Sequence, residues 1–339
     1  MNNFYPLEHH KQLARATAPR LRWDGQTDVA LWSETCRNKL SELLGMDTFS
    51  PCESIFEITE EGMLGENRHI HFTLQTEEGY FTNCDLLLPP VQDKPLPLCV
   101  CLQGHSKGAH ISLGQAKFPG DEDIIKGGDR DFAVRAVKEG FAALAIEQRA
   151  FGLCGGTEHG PACERPAMTA LLLGRTLVGE RVWDVMRVLD AVETHFADTI
   201  TLAGSVLTGN SGGGTTTYYT ACLEHRFEGF MPSCAISTYR DSIIDLHHCT
   251  CNYVPGAAKW FDMGDLAIMI APKKLVVVCG RHDEIFPLDG VREEFAIMQK
   301  LYAAKGAPDS CALVVGGEGH RFYADDAWPV MHRLLRQDS

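Results

Sequence analysis

The stretch that most restricts what this chain can fold into is Leu207-Thr208-Gly209-Asn210-Ser211-Gly212-Gly213-Gly214. An apolar run from Ile200 to Leu207 leads into it and the segment Thr215 to Cys222 follows, so it reads as a strand, a tight turn and a helix. Ser211 lies between Gly209 and Gly213, the pattern of a turn so sharp that its flanking positions must be small to clear the neighbouring strand and helix. Such a turn pushes a hydroxyl into the open, where it can serve as a nucleophile. A glycine-rich turn of this kind also suits a phosphate group. That alternative stays open here, although the turn lacks the Lys-Ser/Thr ending of a P-loop and the Gly-x-Gly-x-x-Gly spacing of a dinucleotide fold.

The rest of the 339 residues can support a large core around this turn, because 45% are hydrophobic and 22% charged. One large α/β domain is the simplest arrangement. The formal net charge of −14 argues against nucleic acid or an anionic membrane as a partner. The opening residues carry no charged and then apolar leader, and no run of about eighteen apolar residues occurs, so a cytoplasmic protein is expected. The thirteen cysteines are then read as reduced and mostly buried, with Cys99, Cys101 and Cys279 inside predicted strands. Metal-ligand types crowd together at His247-His248-Cys249-Thr250-Cys251. That cluster lacks spaced Cys-x-x-Cys pairs, so it is read as a loop over the site, and neither a metal nor another cofactor is expected.

Residues 1–50 form a helical extension, with apolar residues at helical spacing from Trp32 to Leu44 and Gly45 as its stop. Residues 51–339 form the main domain. Ser54 to Thr59, Arg68 to Gln75 and Tyr80 to Leu88 alternate apolar and polar residues as antiparallel edge strands do. Beyond them, strands at 97–102, 141–147, 200–207, 229–237, 274–279 and 311–315 alternate with helices at 131–139, 180–195 and 291–304. This order predicts a mostly parallel twisted sheet with helices on both faces. Two long excursions, 148–179 and 238–271, leave the carboxyl ends of strands and are expected to wall the pocket. Tyr253, in the second, is a candidate substrate contact.

A serine nucleophile needs a base and an acid that orients it. Asp283 follows the strand 274–279 in Gly280-Arg281-His282-Asp283-Glu284, and His320 follows the strand 311–315 in Gly316-Gly317-Glu318-Gly319-His320. Ser211, Asp283 and His320 thus each sit just past the carboxyl end of a predicted parallel strand, the edge where ligands bind in such sheets. Glu284 or Asp289 could take the place of Asp283, and His282 competes with His320 as base. Backbone N–H groups at Gly212 and at His105, in Gln103-Gly104-His105-Ser106, are candidate oxyanion donors. Gly104 is a candidate substrate contact, and the His105 side chain is free to cap its loop or meet substrate.

The motifs Gly104-His105, Glu147 to Gly152, Gly209 to Gly213, Met263-Gly264-Asp265, Gly280 to Pro287 and Gly319-His320 together resemble the acetyl xylan esterase and dienelactone hydrolase branch of the α/β-hydrolase superfamily. The resemblance spans residues 50 to 335. It implies hydrolysis of a small acetyl or short-chain ester, often on a sugar, by Ser211, Asp283 and His320. The first oxyanion loop and both excursions depart from any fixed family pattern. A prolyl oligopeptidase-like serine peptidase and a non-catalytic binding protein on the same fold are the alternatives. The sequence leaves the oligomeric state open, including a homo-oligomer.

Overall fold

The computed structural model describes residues 4–155 and 160–338. Nine strands form one sheet: β1 (Phe56–Leu64), β2 (Asn67–Glu77), β3 (Tyr80–Leu88), β4 (Leu96–Leu102), β5 (Ala142–Ile146), β6 (Ile200–Asn210), β7 (Gly229–Ser233), β8 (Lys274–Gly280) and β9 (Cys311–Gly316). Their order is β1-β2-β3-β5-β4-β6-β7-β8-β9. The first three strands and the β3–β5 pairing are antiparallel, and every pairing from β5 to β9 is parallel.

The parallel strands read as continuous apolar runs because both of their faces are covered, yet a two-residue period separates the faces. Leu98, Val100, Leu102, Leu144 and Ile146 pack in one core, with Val182, Val185 and Leu189 of the helix Leu177–His195. Cys99, Cys101, Ala143 and Ala145 enter the other, against Phe132 and Ala136 of the helix Phe132–Lys138 and Trp328 of the helix Ala324–Leu335. The smaller side chains on this second face let the helices approach closely.

The N-terminal extension contains two helices, Pro6–Ala16 and Val29–Leu44. Asp28 caps the second by accepting from the amides of Ala30 and Leu31, and Gly45 ends it at a φ of 76°. The helix buries Cys36, Leu40 and Leu44, and Ser33 Oγ donates to the Ile268 carbonyl at 2.9 Å. The Leu21 amide donates to Trp260 O at 2.7 Å and Arg22 pairs with Asp265 at 3.1 Å. These bonds pin the 238–271 excursion.

Three expectations need correction. β1 continues to Leu64, beyond the predicted Thr59, and most of it is exposed; an edge strand wet on both faces has no hydrophobic alternation to read. β7 stops at Ser233, short of 237, because Cys234 turns the chain at a φ of 47°. The 148–179 excursion contains a helix, Glu164–Leu172. Among the described residues, no helix is long and apolar enough to cross a membrane.

Candidate active site

β6 runs directly into the helix Gly212–Leu223, and Ser211 stands at the junction with φ 56° and ψ −121°. That conformation is costly for any residue with a Cβ and persists only where surrounding structure enforces it. Enforcement comes from both sides: the Ser211 amide donates to Ser233 O at 2.8 Å, and the helix packs against β4. A Cβ on Gly213 would stand 2.1 Å from Leu102 O, and one on Gly209 would stand 2.6 Å from Gly213 O. Any side chain at either position would break the turn. Gly104 has the same constraint, since its Cβ would meet Asn210 O at 2.6 Å and Ser211 Cβ at 3.0 Å. Its place in the structure is clearance for the loop beside the serine.

Asp283 and His320 meet across the ends of β8 and β9, with His320 Nδ1 2.8 Å from Asp283 Oδ2. The other carboxylate oxygen accepts from the amides of Ile285 (2.8 Å) and Phe286 (3.0 Å). Burial opposes the charge on Asp283, but the His320 hydrogen bond and its charge, with the two amides, outweigh it and hold the pKa below the usual carboxylate value. A fixed carboxylate on Nδ1 leaves Nε2 as the imidazole's working nitrogen. The Phe286 ring lies nearly parallel to that of His320, centroids 6.1 Å apart.

Ser211, His320 and His105 line one depression of about 260 Å³ together with Arg130, His248 and Asn252. The Gly212 amide, at the first position of its helix, and the His105 amide donate to no protein acceptor among the described residues. The His105 side chain neither caps its loop nor stands free for substrate. Its Nε2 lies 3.1 Å from Cys251 Sγ and its ring meets Phe151 edge-on at 5.0 Å. Tyr253 is 42% exposed and does not line the depression.

Of two further lining residues, Arg130 carries no signal in the sequence, and His248 shows there only as part of the His247–Cys251 cluster. The Arg130 guanidinium bonds to no acceptor among the described residues, and burial lowers its pKa. His248 bonds to Ser242 Oγ at 3.0 Å, and burial, then the nearby histidines, lower its pKa to about 4, so it is neutral at pH 7. Neither sits in a recognisable motif; each reaches the site through the path of its loop.

The His247–Cys251 segment does lie over the site, as expected, but the structure adds two residues from elsewhere. His105, Cys163, Cys249 and Cys251 bring their ligand atoms within 4.8 Å of one another. Hydrogen bonds from Cys163 and Cys249, and then the Arg181 charge, outweigh burial and hold the Cys251 thiol well below its usual pKa. The expectation of no metal rested on local spacing, and this set has none.

No family model matches the chain. It is 26% identical over 236 residues to “Putative hydrolase YtaP” of Bacillus subtilis (strain 168), covering 68% of this chain and 75% of that one. A structure titled “putative acetyl xylan esterase” from Bacteroides fragilis superposes with a TM-score of 0.78 at 18% identity, over 93% of this chain and 83% of that chain. A glucuronoyl esterase from Solibacter usitatus matches with a TM-score of 0.68 at 15% identity, over 94% and 97% of the two chains. With the parallel sheet, the strained Ser211 turn and these neighbours together, the chain has the α/β-hydrolase fold.

Proposed function

We propose that the protein is a serine carboxyl-ester hydrolase that removes a short acyl group, such as acetyl, from a sugar or another small alcohol. The observation that carries this reading is the strained Ser211 turn opening onto the same depression as a His320 that Asp283 holds by Nδ1. The structural neighbours, an acetyl xylan esterase and a glucuronoyl esterase, agree with it.

In the first half-reaction His320 Nε2 takes the Ser211 hydroxyl proton as Oγ attacks the ester carbonyl. The new Oγ–C bond gives a tetrahedral oxyanion, which the Gly212 and His105 amides receive, and Asp283 stabilises the imidazolium. Collapse breaks the bond to the alcohol, which leaves with the proton from His320. Water repeats the sequence on the acyl-enzyme, releasing the acid and restoring the serine.

Arg130 refines the substrate. A guanidinium with no acceptor among the described residues, lining the same depression as the serine, favours a substrate that presents a carboxylate or another strong oxygen acceptor near the scissile bond. Thirteen cysteines without a disulfide support a cytoplasmic setting.

The direct test is Ser211→Ala against p-nitrophenyl acetate. Turnover is expected to fall by on the order of 10⁴-fold or more with the fold unchanged by circular dichroism. Retained turnover would remove Ser211 from its role.

A further inference from the structure

We propose that His105, Cys163, Cys249 and Cys251 form a closed site for one soft divalent cation, of which zinc is the chemical type. The four residues come from three separate places: the loop after β4, the residue before the helix Glu164–Leu172, and the two sides of Thr250. Their ligand atoms lie within 4.8 Å of one another. His105 Nε2 is 3.1 Å from Cys251 Sγ, and Cys251 Sγ is 3.4 Å from Cys249 Sγ. Metal–ligand bonds of about 2.3 Å to sulfur and 2.0 Å to nitrogen in a tetrahedron place neighbouring ligand atoms roughly 3.5–3.8 Å apart, so the cluster closes on an ion with shifts of a few tenths of an ångström at these two contacts.

An independent observation concerns charge. Arg181 is only 2% exposed, and among the described residues it pairs with no carboxylate. Its guanidinium donates to the Arg149 carbonyl at 2.9 Å and to Cys163 Sγ at 3.4 Å. An unpaired buried cation is strongly unfavourable, so its counter-charge must lie in the sulfur cluster. Three thiolates around one divalent ion carry a single net negative charge, which one guanidinium neutralises. A lone Cys251 thiolate would balance the guanidinium too; the ion accounts in addition for the convergence of His105 and all three sulfurs.

Soft sulfur donors select zinc-type ions over magnesium or calcium, and four protein donors leave no position for water. The ion is therefore structural. It ties the loop carrying His105 to both excursions, and through that loop it positions the His105 amide. This effect on catalysis rests on the esterase reading above; the existence of the site does not. A disulfide is the chemical competitor. It requires a sulfur separation of about 2.05 Å, which the Cys249–Cys251 pair exceeds, and it would leave His105 and Arg181 unserved.

The test is elemental analysis of protein purified without chelator, together with cobalt(II) titration of the chelator-stripped protein. About one zinc per chain is expected, as is a cobalt complex with thiolate charge-transfer bands and the intense visible bands of tetrahedral geometry. Cys163→Ser and Cys251→Ser should each lose the metal, and stripping should lower the Tm by about 5 °C or more. Ser211→Ala should keep its full metal content, which separates this proposal from the fate of the esterase reading. Folded wild-type protein that holds no zinc and gives no thiolate–cobalt bands would overturn the site. So would a Cys249–Cys251 disulfide found by peptide mapping of the unreduced protein.

Discussion

The two sides of the depression are built in opposite ways. On one side Ser211, Asp283 and His320 each stand on a short turn immediately after β6, β8 or β9, so the sheet itself sets their positions. On the other, His105, Cys163, Cys249 and Cys251 hang on loops and excursions with little regular structure of their own. The first group is held by backbone geometry, through the φ of 56° at Ser211 and the two amides on Asp283. The second is held by side-chain chemistry. A rigid frame thus carries the proposed reacting atoms, while the wall opposite needs a cross-link of its own to hold its shape.

Substitutions on each side test that contrast. The largest effect after Ser211→Ala is expected for Asp283→Asn, which keeps the shape but turns the imidazole to the wrong tautomer. The loss in kcat should be about 10⁴-fold, with the Tm little changed. A loss under tenfold would point to Glu284 or Asp289 as the orienting acid. The sulfur side should respond less steeply and differently: stripping the metal lowers activity by about 10–100-fold and costs stability as well. Arg130→Ala should raise KM by about tenfold or more for an ester bearing a carboxylate and leave a neutral acetyl ester nearly unaffected, matching the loss of a charged hydrogen bond. Equal effects on both esters would remove Arg130 from substrate selection.

The smallest expected effect lies away from both sides, at Glu294. Its burial, and then Asp262, raise its pKa toward about 9, and one oxygen accepts from the Gly264 amide. A carboxyl group whose pKa is raised by folding binds more protons in the native state than in the unfolded one. Stability should therefore fall as the pH climbs from about 4.5 toward 9. Glu294→Gln, which cannot ionise, should flatten that decline and raise the Tm by about 2 °C at pH 8. A mutant that tracks the wild type across this range would show that Glu294 is ionised in the native protein.

The same contrast explains what could be read from the residues alone. The glycine spacing around Ser211, the apolar runs of the central strands and the turns holding Asp283 and His320 are local patterns, and each was found where the sequence pointed. Arg130 and His248 reach the depression, and Cys163 the sulfur cluster, only through tertiary folding, and no spacing links Cys163 to Cys249 or His105 to either. Gly104, a candidate substrate contact, and His105, a candidate oxyanion donor, have surroundings that no local pattern shows. One proves to be needed for clearance, and the other turns toward sulfur. Tyr253, a candidate substrate contact in the second excursion, lies outside the depression. β1 escaped full prediction for a different reason, since its two wet faces leave no pattern to detect.

The most direct measurement of the central claim is intact-protein mass spectrometry after treatment with a fluorophosphonate ester, followed by peptide mapping. The account predicts a single adduct, on Ser211, that disappears in Ser211→Ala and forms far more slowly in His320→Ala. Labelling at another residue, or ester hydrolysis that survives with Ser211 unlabelled, would contradict it.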